Sequence, residues 1–205
     1  MIDFPPELEV QLTRNPVIAS VFGGANSIPG GFVTSDCRIC ILAHLELHEL
    51  DGALKVLDRA GKFTFVNMDA CAGLGQDKGA LEYLRKIGTR GVVSTRTAMI
   101  QRANSMGMVT MQKVFVTDRS NLPRSTVAIE QSKPHLVQLM PWPVVSHLSA
   151  GELKAYLRLL PPVLWRRRPM LPRRSRKVPR AYPRVPLSCG TSPSDKRNLL
   201  RKRGM

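Results

Sequence analysis

Asp69, Ser94, Thr95, Arg96, Gln112, Lys113 and Asp118 supply acceptors, hydroxyls and cations at recurring positions of this 205-residue chain. Four apolar runs, 63–69, 91–94, 114–118 and 136–141, end on Asp69, Ser94, Asp118 and Pro141, at intervals of 25, 24 and 23 residues. Arg96 and Lys113 would attract an anion, Ser94 and Thr95 offer hydroxyls, and Asp69 and Asp118 accept from alcohols. That combination suits a small polyol phosphate, with cations on the phosphate and carboxylates on the hydroxyls. The competing account is that Ser, Thr and Asp at strand ends cap the helices that follow. Two other clusters have metal-like spacing. His44-Leu-Glu46-Leu-His48 is not the His-Glu-x-x-His zinc pattern and reads as surface side chains. Cys37 and Cys40 fall in a strand pattern that sends them to opposite faces, so both are expected to be ordinary thiols.

A repeat of about 24 residues, with a helix-like stretch between apolar runs, is the βα unit of a parallel sheet, whose functional groups collect at the carboxyl ends of the strands. The expected strands are 15–21, 37–43, 63–69, 91–94, 109–117 and 136–140, with a seventh starting at 161–164. Expected helices are 47–60, 78–87, 97–106, about 120–131 and 149–160, several closed by Gly61, Gly88 or Gly107. The Gly-rich stretch 22–36 is a poor helix where the repeat would place one. Gly23-Gly24 follows the first strand, yet the Gly-x-Gly-x-x-Gly phosphate loop of an open doubly wound sheet is absent. The fold class expected is therefore α/β: a compact TIM-like parallel βα barrel, incomplete after the seventh strand.

Charge divides the chain in two. Residues 161–205 carry 14 Lys and Arg against one acid, a net +13, while residues 1–160 carry 17 against 14, a net +3. The basic part holds 8 of the 16 prolines and few apolar runs, a composition expected to stay disordered. The expected organisation is a barrel domain over 1–164 and a basic Arg/Pro-rich tail over 165–205. The start lacks the pattern of a signal peptide, and no apolar run approaches the roughly 20 residues that span a bilayer. A cytoplasmic protein with no membrane partner and reduced cysteines is expected.

Several segments in register carry a resemblance. Val66-Asn67-Met68-Asp69 with Ala72-Gly73-Leu74, Gly91-Val-Val-Ser-Thr-Arg96, Met111-Gln112-Lys113 through Asp118, Lys133-Pro134 and Leu139-Met140-Pro141 resemble the glycerol-3-phosphate-responsive antiterminator family, across about 15–141. The resemblance implies a TIM-like barrel without enzymatic activity or cofactor, in which glycerol 3-phosphate is the effector and the leader mRNA of a glycerol operon is the partner. It also implies a ligand-facing set of Asp69, Gly73, Ser94, Thr95, Arg96, Gln112 and Asp118. Lys113 stands where the family usually has Arg, keeping a cation but losing its fork of donors. Asn67 replaces a usual His, and Gln138 and Trp142 fall where Glu and Gly are usual.

The departure is largest at the end. After Val163-Leu164 the chain reads Trp165-Arg-Arg-Arg168, where the family closes its barrel with two further strands. The segment is either a basic arm for RNA or the product of a disrupted reading frame in a GC-rich gene. The abrupt loss of rhythm inside a strand favours the second. A rival function for the same scaffold is a TIM-barrel enzyme acting on a phosphorylated small molecule, with Asp69 and Asp118 in acid–base or metal-binding roles.

Overall fold

The computed structural model describes residues 5–118, 120–141, 148, 149 and 151. The expected seventh strand, the basic tail and nearly all of the helix expected over 149–160 lie outside these residues. Within them the elements run α1 Pro6–Arg14, β1 Ile18–Phe22, α2 Gly30–Val33, β2 Ile39–Ala43, β3 Leu45–Glu46, α3 Leu47–Arg59, β4 Phe63–Asn67 and β5 Cys71–Ala72. They continue with α4 Lys78–Lys86, β6 Gly91–Ser94, α5 Thr97–Ser105, β7 Val109–Phe115, α6 Asn121–Ser132 and β8 Leu136–Met140.

Six strands form one parallel sheet in the order β1-β2-β4-β6-β7-β8. Every neighbour in space is also the next long strand in sequence, so the sheet curls continuously into a half-barrel instead of reversing as a doubly wound sheet does. Residues alternate between the two faces. Cys40, Leu42, Val66 and Val92 face the helices, packing with Leu50, Leu54 and Leu57 of α3, Leu81 and Leu84 of α4 and Met99 of α5. Ile39, Ile41, Phe63, Phe65, Val93, Val109, Met111 and Leu136 face the concave side. There Leu8 of α1, 1 % exposed, and Leu12 cover them. Burial on both faces explains why β2 reads as a continuous apolar run and why every residue of β4 is buried.

The local signals agree with this arrangement. The Asp77 carboxylate accepts from the Ala80 amide at 2.8 Å and starts α4. Gly61, Gly88 and Gly107 follow α3, α4 and α5 with φ of +66°, +86° and +75°, a backbone that favours glycine. The Gly-rich stretch makes only a 3-10 turn at Ala25–Ser27 and the four-residue α2. It is anchored by Lys62, 2 % exposed, whose ammonium donates to the carbonyls of Ser35 and Cys37, both at 2.8 Å, and lies 4.7 Å from the Phe32 ring centre.

A polar knot joins α5, β7, β8 and α6. The Thr110 hydroxyl donates to Asn104 Oδ1 at 2.7 Å, the Thr110 amide donates to His135 Nδ1 at 3.0 Å, and Asn104 Nδ2 donates to the Ser132 and Lys133 carbonyls. Burial pushes the His135 pKa below its ordinary value of 6.5. An acceptor role for Nδ1 also requires the neutral ring. The unfolded chain therefore binds a proton more readily than the folded one, and stability present above pH 6.5 is lost as pH falls below it. Urea midpoints measured from pH 8 to 5 should decline below about 6.5, and His135→Gln should flatten that decline. An unchanged slope in the variant would assign the acid sensitivity to other groups.

Candidate functional site

The carboxyl ends of β4 and β6 are stitched together by one carboxylate. Asp69 lies in a 3-10 turn, Met68–Ala70, directly after β4. Its Oδ1 accepts from the Ser94 hydroxyl at 2.9 Å, and its Oδ2 accepts from the Thr95 amide at 2.6 Å. Ser94, fully buried at the end of β6, in turn accepts from the Arg96 amide at 3.1 Å. Thr95 and Arg96 are thus held at the rim with exposed side chains. The Asp69 turn is braced from behind: Asn67 Oδ1 accepts the Asp69 amide at 3.2 Å, and Gln76 Nε2 donates to the Met68 carbonyl at 2.6 Å.

Two further features shape this mouth. The two-residue strands β3 and β5 pair in parallel, Leu45 with Cys71 and Glu46 with Ala72, and lash together the loops that follow β2 and β4. His44 adopts φ +54° to enter that ladder, donates its amide to the Ala70 carbonyl at 2.6 Å and lies 5.5 Å from the Phe22 ring centre. Gly73 follows β5 with φ +80°, where a Cβ would meet Leu47 Cβ at 3.3 Å. Gly73 is thereby a backbone requirement of the loop.

The mouth is divided electrostatically. One cavity of about 360 Å³ is lined by His44, Glu46, Glu49 and Asp69. Another, of about 300 Å³, is lined by Thr95, Thr97, Lys113, Asn121, Arg124 and Ser125 and brings two cations together with hydroxyls. Gln112, 1 % exposed, closes its floor. Its Oε1 accepts from the Ser132 hydroxyl and its Nε2 lies 3.5 Å from Thr97 Oγ1, so the amide clamps α5 and α6 onto β7. Lys113, half-buried, is in register with Gln138 on β8. Gln138 Oε1 is shielded from solvent without a hydrogen-bond partner among the described residues.

The sequence-derived set is therefore gathered in two groups. Asp69, Ser94, Thr95 and Arg96 form one hydrogen-bonded unit, and Thr95, Gln112 and Lys113 share the cationic cavity. Asp118 is fully exposed and is taken up by its own loop. It accepts from the Ser120 amide at 2.7 Å, the Ser120 hydroxyl, the Asn121 amide at 3.2 Å and the Thr117 hydroxyl at 3.3 Å. The Ser120 hydroxyl and amide, foremost, hold its carboxyl below the usual carboxylate range. Arg124, Asn121 and Gln76 were not singled out in the sequence. Arg124 and Asn121 lie on the first turns of α6, where a cation facing a strand end was the available signal.

Cys40 packs on the helix side, and burial pushes its thiol up to about 11. Cys37, half-buried, contacts the Val17 carbonyl at 3.3 Å. Among the described residues no group of three or more His, Cys, Asp or Glu side chains is placed to hold a metal ion, and no helix is long and apolar enough to cross a membrane.

Comparison with known proteins gives this geometry a lineage. A glycerol uptake operon antiterminator-related protein from Thermotoga maritima MSB8 superposes with a TM-score of 0.55, at 21 % identity over 70 % of this chain and 90 % of its own. The glycerol uptake operon antiterminator regulatory protein from Listeria monocytogenes str. 4b F2365 superposes with a TM-score of 0.54, at 17 % identity over 69 % and 87 %. At such identities these likenesses establish the fold. No curated protein sequence matches the chain. The sequence pattern of the glycerol-3-phosphate responsive antiterminators matches residues 17–159, a span containing every strand of the half-barrel and the whole mouth. The chain belongs to that family.

Proposed function

We propose that this protein is an RNA-binding transcription antiterminator that senses glycerol 3-phosphate at the mouth of the half-barrel and acts on the leader mRNA of glycerol uptake genes. The observation that carries the reading is the junction of Asp69 with Ser94, Thr95 and Arg96 beside the Lys113–Arg124 cavity. It places fixed carboxylate, hydroxyl and cationic groups at the ends of consecutive strands, where barrels bind small phosphorylated molecules. Arg96 and Lys113 take the phosphate, with Arg124 beside them, while Thr95 and the shielded Gln138 Oε1 meet the alcohols. Asp69 offers its remaining lone pairs to a hydroxyl and holds the Thr95–Arg96 loop. Gly73, Ser94, Gln112 and Asp118 position the loops that carry those groups. The acid-lined half of the mouth repels the phosphate and so orients the ligand.

No cofactor enters this scheme, and the role is regulatory. Ligand binding favours one arrangement of the strand-end loops, and by linkage RNA that prefers that arrangement tightens ligand binding by the same factor. Thermal melts of the full chain with glycerol 3-phosphate, inorganic phosphate and no addition test the ligand assignment. At a concentration of about 100 Kd the midpoint should rise by roughly 5–10 °C with glycerol 3-phosphate. Inorganic phosphate at the same concentration should give a much smaller rise. Equal shifts with both would leave a phosphate site without glycerol specificity, contradicting the reading.

A further inference from the structure

We propose that RNA docks on the amino-end rim of the half-barrel, opposite the effector mouth; this rests on the antiterminator reading above and assigns its partner surface. Arg38, Arg59, Arg85, Lys86, Arg102 and Lys133 are all exposed, and they mark the turns where α3, α4, α5 and α6 end or β2 begins. Among the described residues none of the six makes an ion pair. Local contacts tie parts of this rim together. Arg38 donates to the Ala60 carbonyl at 3.4 Å, joining the start of β2 to the end of α3. Arg90, at the start of β6, lies 4.8 Å from the Phe63 ring centre and 3.2 Å from Glu7 of α1. Asn104 joins the end of α5 to Lys133.

Two cavities, of about 370 and 320 Å³, open along this rim and share Gly88, Thr89 and Arg90. Thr89 is 5 % exposed, and its hydroxyl has no hydrogen-bond partner among the described residues. A buried hydroxyl left over between two cavities, beneath guanidinium groups, is a donor for a phosphate oxygen. The helix dipole favours cations in the last turns of α3, α4 and α5, but Arg38 and Arg90 precede strands, where no dipole favours them. At the opposite end Glu46, Glu49 and Asp69 line one cavity of the mouth, which admits one small phosphate beside Lys113 and repels a polyanion. The fold thus separates effector and RNA to the two ends of the same strands.

The test uses the full chain, basic tail included, with a fluorescein-labelled GC-rich RNA stem–loop at saturating glycerol 3-phosphate, titrated over a range of salt. The triple variant Arg85→Gln/Lys86→Gln/Arg102→Gln should bind roughly 10–100-fold more weakly at physiological salt and lower the salt slope by about 2. Lys78→Gln, at the mouth end of the same α4, should change affinity by less than about 3-fold. A retained thermal shift with glycerol 3-phosphate shows that the triple variant is folded. Wild-type affinity and slope in that folded variant would overturn the rim assignment while leaving the antiterminator reading intact, since the tail alone would then carry the RNA. If the unsubstituted protein does not bind the stem–loop, both fall.

Discussion

Phe65→Ala is expected to destabilise the half-barrel by about 3–5 kcal/mol, a large fraction of the roughly 5–15 kcal/mol of an ordinary domain. Phe65 is fully buried at the centre of the concave cluster, with its ring 5.1 Å from that of Phe63 and tilted by 57°. The space for that ring comes from the neighbouring strand. A Cβ on Gly91 would meet Phe65 Cδ1 at 2.8 Å and Phe63 Cε1 at 2.9 Å. Gly91→Ala alone should therefore cost about 1–3 kcal/mol through overpacking. In a Phe65→Ala background the added methyl enters the vacated space, so the double variant should be more stable than the sum of the single effects by about 1 kcal/mol or more. Urea unfolding of the four proteins checks this. Strict additivity would mean that Gly91 is not there to seat the ring.

Asp69→Asn is expected to remove most of the thermal shift produced by glycerol 3-phosphate. The carboxylate serves two donors at once, the Ser94 hydroxyl and the Thr95 amide, and through Ser94 it fixes the Arg96 amide. An amide keeps one acceptor oxygen and places an NH2 where the other stood, facing a donor. Losing one charge-assisted bond costs about 1.5–3 kcal/mol of loop order. If the cost falls on the binding-competent loop, affinity should drop by roughly 10–150-fold. Because Asp69 is exposed and lies above the core, the unliganded midpoint should fall far less than in Phe65→Ala. Calorimetric titration with glycerol 3-phosphate separates the two effects. Unchanged affinity would show that the Asp69 junction does not organise the site.

Much of this architecture is legible in the residues. Gly91–Ser94 and Leu136–Met140 occupy the expected strands without shift, and α4 and α5 start at the expected Lys78 and Thr97. Apolar periodicity and left-handed glycines carry those assignments, because a parallel strand buried on both faces leaves few alternatives. Strand ends were less legible. Asn67 is the last strand residue of β4, and the next three form a 3-10 turn, which is what brings the Asp69 carboxylate across to β6.

The expected strand over 109–117 stops at Phe115, and the expected strand over 15–21 runs instead from Ile18 to Phe22. Helix α1 stands outside the expected elements, although Pro6 at its start, Glu7 and Glu9 in its first turn and Arg14 in its last are ordinary helix signals. What sequence cannot show is that its Leu8 covers the concave face. The β3–β5 ladder is likewise invisible, because two residues carry no periodicity. Gln112 marks the limit most sharply. Its place beside the mouth, in register with Ser94, was legible, but a single step along β7 decides whether a side chain faces the concave side, as Met111 does, or the helices.

The proposed separation of a sensing end from an RNA-binding end makes one quantity decisive: the affinity of the full chain for leader-type stem–loop RNA, measured with and without glycerol 3-phosphate. Glycerol 3-phosphate should tighten RNA binding by roughly 5–150-fold, the usual range of coupling between two sites, and RNA should tighten glycerol 3-phosphate binding by the same factor. RNA affinity that is identical with and without glycerol 3-phosphate would contradict the account, whatever its absolute value.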